Sequence, residues 1–218
     1  MAQHADTADT TDQTESRERR LEIIAAVLLG LAAVATAWSA YWSAIFGGNA
    51  IQGYAQANTF TSQVSEAYGE GDTQKAFDQS LFVTYAAELF RGDPEGLAAY
   101  IYSDVATDEF RAAIDWFNTT GDEVISPFDV DSGSPYAVPG YERGNGYLAE
   151  ADAAYQEAVA ADDKGDRFDL AAVFLALSLF FGGIATVFKR RLPQLVTLTV
   201  GSVGFVIGLG AVIWAHMA

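Results

Sequence analysis

The chain has 218 residues, half of them hydrophobic, a formal charge of −17 and no cysteine. The missing cysteines exclude disulfides, thiol chemistry and Cys-ligated metals. So acidic a surface disfavours nucleic acid and anionic lipid as its partners, because phosphates repel it and few counterions are there to release.

Residues 1–20 open with Asp, Thr, Gln and Glu and almost no large apolar side chain, a composition that predicts a disordered tail. Arg17, Arg19 and Arg20 close it. Then comes an uncharged apolar run over residues 23–46, and residues 21–46 read as a first transmembrane helix. About 20 helical residues at ~1.5 Å each cover the hydrocarbon core of a bilayer. Trp38, Tyr41, Trp42 and Phe46 gather at the far end of this run, where amphipathic rings favour the headgroup level. The same stretch has the order of a secretory signal, with arginines, an apolar core and small residues at Ala35-Thr-Ala37 or Trp38-Ser-Ala40. The polar tail ahead of it and the apolar run continuing past the cleavage site favour a retained span.

Residues 47–169 hold 23 of the 29 carboxylates and six of the twelve Lys and Arg residues, so this segment carries the whole formal charge. Gly47-Gly48 permits a break or kink. After it Tyr54, Ala57, Phe60, Val64 and Tyr68 recur at helical spacing, with Gly69 to Asp72 as the expected stop. A second stripe follows in Phe77, Leu81, Tyr85 and Leu89, widened by Phe82 and Phe90. Gly92-Asp-Pro94 breaks the chain before two further helical stretches, 97–102 and 107–117, the latter with Phe110, Ile114 and Phe117 on one face. Residues 119–146, with Pro127, Pro135, Pro139 and several glycines, read as a long loop lying on the bundle. Helical spacing returns at Tyr147 and is interrupted by Asp162 to Asp166. Residues 47–167 are thus expected to form an acidic, mostly helical domain outside the cytoplasm.

Residues 168–188 predict a second span, 189–192 a basic turn and 193–216 a third span. Lys189, Arg190 and Arg191 pair with Arg17, Arg19 and Arg20 as the positive ends that stay cytoplasmic. Three spans then leave the N-terminus inside, the acidic domain and the C-terminus outside, and Trp214 at the outer interface beside Trp38, Tyr41 and Trp42. Pro193 falls near a helix start, where its missing amide costs little. Gly204-Phe-Val-Ile-Gly208 in the third span, preceded by Gly201 and facing Gly182 and Gly183 of the second, predicts close helix approach within the hairpin or between copies of the chain.

The catalytic inventory is poor. His4 and His216 sit near opposite termini, which leaves little for histidine acid–base chemistry, a Ser–His pair or a His-rich metal site. No P-loop or dinucleotide fingerprint occurs. Asp108, Glu109 and Asp115 could approach one another near helix ends but read better as solvated faces, and Asp162, Asp163 and Asp166 form a weak calcium candidate at the membrane surface. Asp129-Val-Asp131-Ser-Gly133 starts like a calcium loop, but its glycine comes one position early and Gly140 stands where the bidentate glutamate belongs, so a turn is the better reading. Apart from Glu22 and Asp169 at their ends, the spans contain no Asp, Glu, Lys or Arg, which argues against transporters, pumps and voltage sensors.

With Tyr54-Ala-Gln-Ala-Asn58 after the first span and Leu175-Ala-Leu-Ser-Leu-Phe-Phe-Gly-Gly183 in the second, the chain resembles an uncharacterised bacterial membrane-protein family. The resemblance implies one span, a helical extracytoplasmic insert and a closing two-span hairpin, and carries no activity or site. The expectation is therefore an all-α, multi-pass protein of the cell membrane. It has no catalytic, cofactor or metal residues, and its partners are the lipid bilayer and either a membrane protein or further copies of itself. The leading role is a non-enzymatic sensor, binding module or accessory subunit. A small oligomeric cation channel is the alternative, and a surface hydrolase using paired carboxylates a distant third.

Overall fold

The computed structural model describes residues 5–92, 94–120, 126–188 and 190–217. The regular elements among them are all helical: α1 (Ala5–Arg91), α2 (Leu97–Tyr100) running into a π-helical turn (Ile101–Val105), α3 (Asp108–Thr120), α4 (Pro139–Val187) and α5 (Arg191–Met217). Three stretches are long and apolar enough to cross a membrane, within Glu22–Arg91, Pro139–Val187 and Arg191–Met217. Their contacts divide the chain into one unit of Met1–Tyr54 with Tyr155–Ala218 and another of Ala55–Ala154.

Several expected breaks are helical. α1 runs through Gly47-Gly48 and through Gly69 to Asp72, and α4 runs through Asp162 to Asp166. A glycine inside a helix costs about 1 kcal/mol relative to alanine, a weak preference that tertiary packing overrides. Gly71 shows how: the space beside it is filled by the Tyr141 ring, whose carbons would lie 2.7 Å from an added Cβ. α1 also extends upstream to Ala5, through residues whose composition predicts disorder.

In the first unit α1, α4 and α5 pack through small residues. Ala25, Ala32 and Ser39 of α1 are buried at seven-residue intervals, and Phe168, Ala171, Leu175, Ser178 and Ala185 of α4 are buried at three-, four- and seven-residue steps. That period is the one a packed helix seam requires. Gly165 abuts Ser43 and Gly47 of α1, and Gly182 abuts Leu28 and Leu29, so α1 and α4 are antiparallel here. Ala25, Leu28, Ala185 and Leu198 form a core cluster with Phe205 against it. Large apolar side chains turn outward all along these helices, among them Ile24, Val27, Val34, Val173, Phe180, Val203 and Val206. In water such a surface is unfavourable; in lipid it is the expected exterior.

In the second unit the later part of α1, the short helices and the start of α4 surround a core of Ala106, Phe110, Ala113, Ile114, Tyr136 and Val138, with Leu81, Phe82, Tyr85 and Phe128 packed against it. Phe128 covers it from the loop, stacked on Phe110 at 5.7 Å and edge-on to Tyr136 at 4.8 Å. Thr107 caps α3, its Oγ1 accepting from the Phe110 amide at 3.2 Å. The loop over 126–138 is tied locally: the Ser134 hydroxyl donates to the Pro127 carbonyl and accepts from the Tyr136 amide.

α4 begins at Pro139, eight residues before the expected Tyr147. Proline suits the first position of a helix. The glycines that read as loop residues permit close approach instead. A Cβ on Gly140 would lie 2.6 Å from the Ala67 carbonyl oxygen, and one on Gly144 2.9 Å from the Tyr68 ring. In this unit too the start of α4 therefore packs directly on α1.

Candidate functional site

The local register of α1 sets up the site. Of two adjacent residues, Phe77 is 50% exposed and Asp78 only 1%, the reverse of what the apolar stripe predicts. Asp78 is held at both oxygens: the Gln74 amide one turn earlier donates to Oδ1 at 2.9 Å, and the Tyr136 hydroxyl from the loop donates to Oδ2 at 2.8 Å. Burial first, and then the hydrogen bond and charge of Asp78, push the Tyr136 phenol far above its ordinary pKa. Tyr136 is thus fixed as a proton donor, and Asp78 as an acceptor aimed by two neutral groups.

Asp78 lines a cavity of about 230 Å³ between α1, the start of α3 and the start of α4, with Glu70, Gln74, Thr107, Glu109 and Arg143 supplying most of its polar wall. Arg143 is bound in an ion pair with Glu70 at the mouth. A second hollow of about 310 Å³ shares those two residues and adds Gln63, Glu66 and Tyr147. The Gln63 Oε1 atom is buried without a hydrogen-bond donor. Close by, Tyr141 donates to Asp72 at 2.6 Å, a bond that with burial raises its pKa as well. Carboxylates and side-chain amides dominate the polar lining, with Arg143 as its cation and Thr107 as a hydroxyl. Among the described residues no group of three or more His, Asp or Glu side chains is placed to hold a metal ion.

The remaining acidic residues separate. Asp108 pairs with Arg111, Asp115 accepts from Tyr102 at 2.8 Å, and of that trio Glu109 alone reaches the cavity. Asp129 accepts from the Ser132 amide and hydroxyl, which closes a turn with Gly133 at φ +94°. Asp162 lies 3.5 Å from the Tyr54 hydroxyl.

The glycines of the spans meet specific neighbours. A Cβ on Gly201 would lie 3.2 Å from the Gly182 amide nitrogen and the Ser178 carbonyl, one on Gly204 3.5 Å from the Phe174 carbonyl, and one on Gly208 2.7 Å from Leu175. These three glycines of α5 therefore face α4 of the same chain. Gly182 faces α1, and Gly183 has no neighbour within 4 Å. Trp38, Tyr41 and Phe46 contact Trp42 at 5.7–6.0 Å between ring centres. Phe168 stacks on Phe46 and meets the His216 ring edge-on at 4.9 Å. Arg167 lies 4.6 Å over the Trp214 ring and Lys164 5.1 Å over Phe46. Arg19 and Arg20 are exposed near the start of the first apolar stretch, and Arg190 and Arg191 at the start of α5. Lys189 and the side chain of Arg17 lie outside the described residues.

Asp78, Tyr136, Gln74 and Gln63 were not singled out by sequence. The available signal was an aspartate placed inside an apolar stripe, seven residues after Gly71 on a face that turns out to be buried. No protein-family model, curated protein or solved structure matches the chain.

Proposed function

We propose that the protein is a non-enzymatic membrane-anchored binding module: its apolar helices lie in the cell membrane, its N-terminus faces the cytoplasm, and residues 55–154 present a ligand cavity outside. The observation that carries the reading is the cavity walled by the buried Asp78 together with the exposed Glu70 and the half-buried Glu109. A carboxylate so deeply enclosed is costly to hold, and a fold retains such a group chiefly where something uses it. The arginines at 17, 19 and 20 and the cations at 189–191 support the orientation. The site lacks an activated nucleophile or a histidine, which supports binding over turnover.

The accessory-subunit reading has its own observation. Phe82, Tyr85, Leu89, Phe90 and Phe117 line an apolar groove of about 300 Å³, and Phe90 is 93% exposed. An aromatic anchor of this kind suits a protein partner.

Extraction of the full chain from its native membranes in a mild detergent, followed by native mass spectrometry, tests both. A small-molecule adduct that is absent from Ala137→Trp, a substitution at the exposed rim of the cavity, is the expected result. A stoichiometric second protein lost on Phe90→Glu would make the accessory role primary. A bare chain from wild type, or an adduct indifferent to Ala137→Trp, would overturn the binding-module reading.

A further inference from the structure

The apolar stripe of α1 outlasts the helix that covers it. At Phe82 it is met edge-on by Phe117 of α3 at 5.5 Å and by Phe128 of the loop at 5.9 Å. Tyr85, Ala86, Leu89 and Phe90 then carry it on for about two turns, at the three- and four-residue steps of one helix face. Here α3 supplies Phe117 and Asn118 to the wall of a groove of about 300 Å³, and Leu89 and Phe90 stand exposed. Apolar positions at i, i+3, i+4, i+7 and i+8 are those on which a second helix seats its own ridge. Among the described residues no helix of this chain lines the groove beyond α1 and α3.

Charge narrows the partner. Residues 77–120, which build both walls, carry eight carboxylates against Arg91 and Arg111. Both arginines are already engaged in ion pairs, with Glu88 and Asp108. Glu95, Asp104 and Asp115 are exposed around them, Asp115 on the α3 wall itself. A second copy of so acidic a segment would meet like charge across the groove, and so would anionic lipid headgroups. A helix with Lys and Arg along its flanks meets complementary charge instead, which steers encounter and suppresses wrong partners. We propose that the groove docks an amphipathic helix of another protein, with its apolar face on Tyr85, Leu89 and Phe90 and its flanks basic. The proposal rests on the accessory-subunit reading above and gives that partner its chemistry.

The test is photo-crosslinking of the full chain in its native membranes. The probe is p-benzoylphenylalanine in place of Asn118, at the exposed rim of the groove, and the crosslinked segment is sequenced by mass spectrometry. The expected segment belongs to a different protein, repeats apolar residues at three- and four-residue steps and holds more Lys and Arg than Asp and Glu. At equal amounts of folded chain, Phe90→Ala should lower the crosslinked yield about tenfold, as loss of an aromatic anchor does. Asp115→Lys should lower it about threefold through charge. Should Phe90→Ala fail to accumulate, Leu89→Ala carries the decision by the same tenfold criterion. A crosslink to a second copy, to lipid or to a segment without basic excess overturns the proposal. So does the absence of any crosslink, or a yield that either substitution leaves unchanged. If native mass spectrometry shows a second protein lost on Phe90→Glu while the crosslinked segment is not a basic helix, the helix assignment falls and the accessory reading stands. If neither a crosslink nor a second protein is seen, both fall.

Discussion

Between Tyr136 and Asp78 a single proton, on a 2.8 Å hydrogen bond, ties the proline-rich loop to α1 across 58 positions of sequence. Removing it in Tyr136→Phe leaves the ring in the core beside Phe128 but withdraws one of two donors from a buried carboxylate. Hydrogen bonds to charged groups contribute ~1.5–3 kcal/mol, so a loss of about 2 kcal/mol is expected, read as a lower thermal midpoint of the full chain in detergent. The sign of the pH effect follows from the same contact. The folded protein holds the Tyr136 pKa above its ordinary value, so folding favours the protonated phenol. The stabilisation is complete below about pH 10, the ordinary tyrosine value, and declines as pH rises toward the folded pKa. A difference titration of tyrosinate absorbance, wild type minus Tyr136→Phe, should show no contribution from this residue near pH 10; ordinary ionisation there would refute the assignment. Sequence placed Phe77 inward and passed over Asp78, because periodicity reports which face is apolar and cannot report a partner 58 residues away.

Glycine serves opposite ends in different elements, and neighbours decide which. Gly140 at the start of α4 faces the Ala67 carbonyl, a backbone atom that cannot move aside, and an added Cβ there would sit at 2.6 Å. Gly183 in the second apolar stretch has open space around it. Gly140→Ala should therefore destabilise by ~1–3 kcal/mol, the usual cost of overpacking, whereas Gly183→Ala should cost nothing and gain up to ~1 kcal/mol of helix propensity. Thermal unfolding of both variants in one detergent checks the contrast, and equal midpoints would show that α1 and α4 do not approach as described. The helices themselves were legible where apolar residues recur at three and four. Their ends were not: Gly47-Gly48, Gly69 to Asp72 and Asp162 to Asp166 read locally as breaks, while the packing that keeps them helical comes from the partner helix. The seven-residue series Ala25, Ala32 and Ser39 was present in the sequence. It is easily overlooked because small residues leave a weak hydrophobic pattern, although they allow the closest helix approach.

For the whole molecule, the three apolar stretches were readable from composition alone, since an uncharged run of 19 residues or more needs no long-range information. The cavity of residues 55–154 was unreadable for the complementary reason, being assembled from α1, α3, the loop and α4. Orientation rests on charge. Six of the twelve cations lie in two clusters, residues 17–20 and 189–191, at the ends expected on one side of the bilayer, and the proposed topology sets the segment carrying the whole −17 on the other. Moving that segment to the cytoplasmic side would set both basic clusters outside, against the bias that governs insertion. The cysteine-free sequence makes the test direct. A single cysteine at Gln79, exposed on α1, should react with a membrane-impermeant maleimide on intact cells, and one at Thr11 only after permeabilisation. Replacing Lys189, Arg190 and Arg191 together by glutamine should then raise labelling of an added C-terminal cysteine in the opposite compartment, because the hairpin loses the charges that hold its turn inside. Intact-cell labelling at Thr11 with protection at Gln79 would invert the topology and place the acidic cavity in the cytoplasm, where its ligand would have to be sought instead.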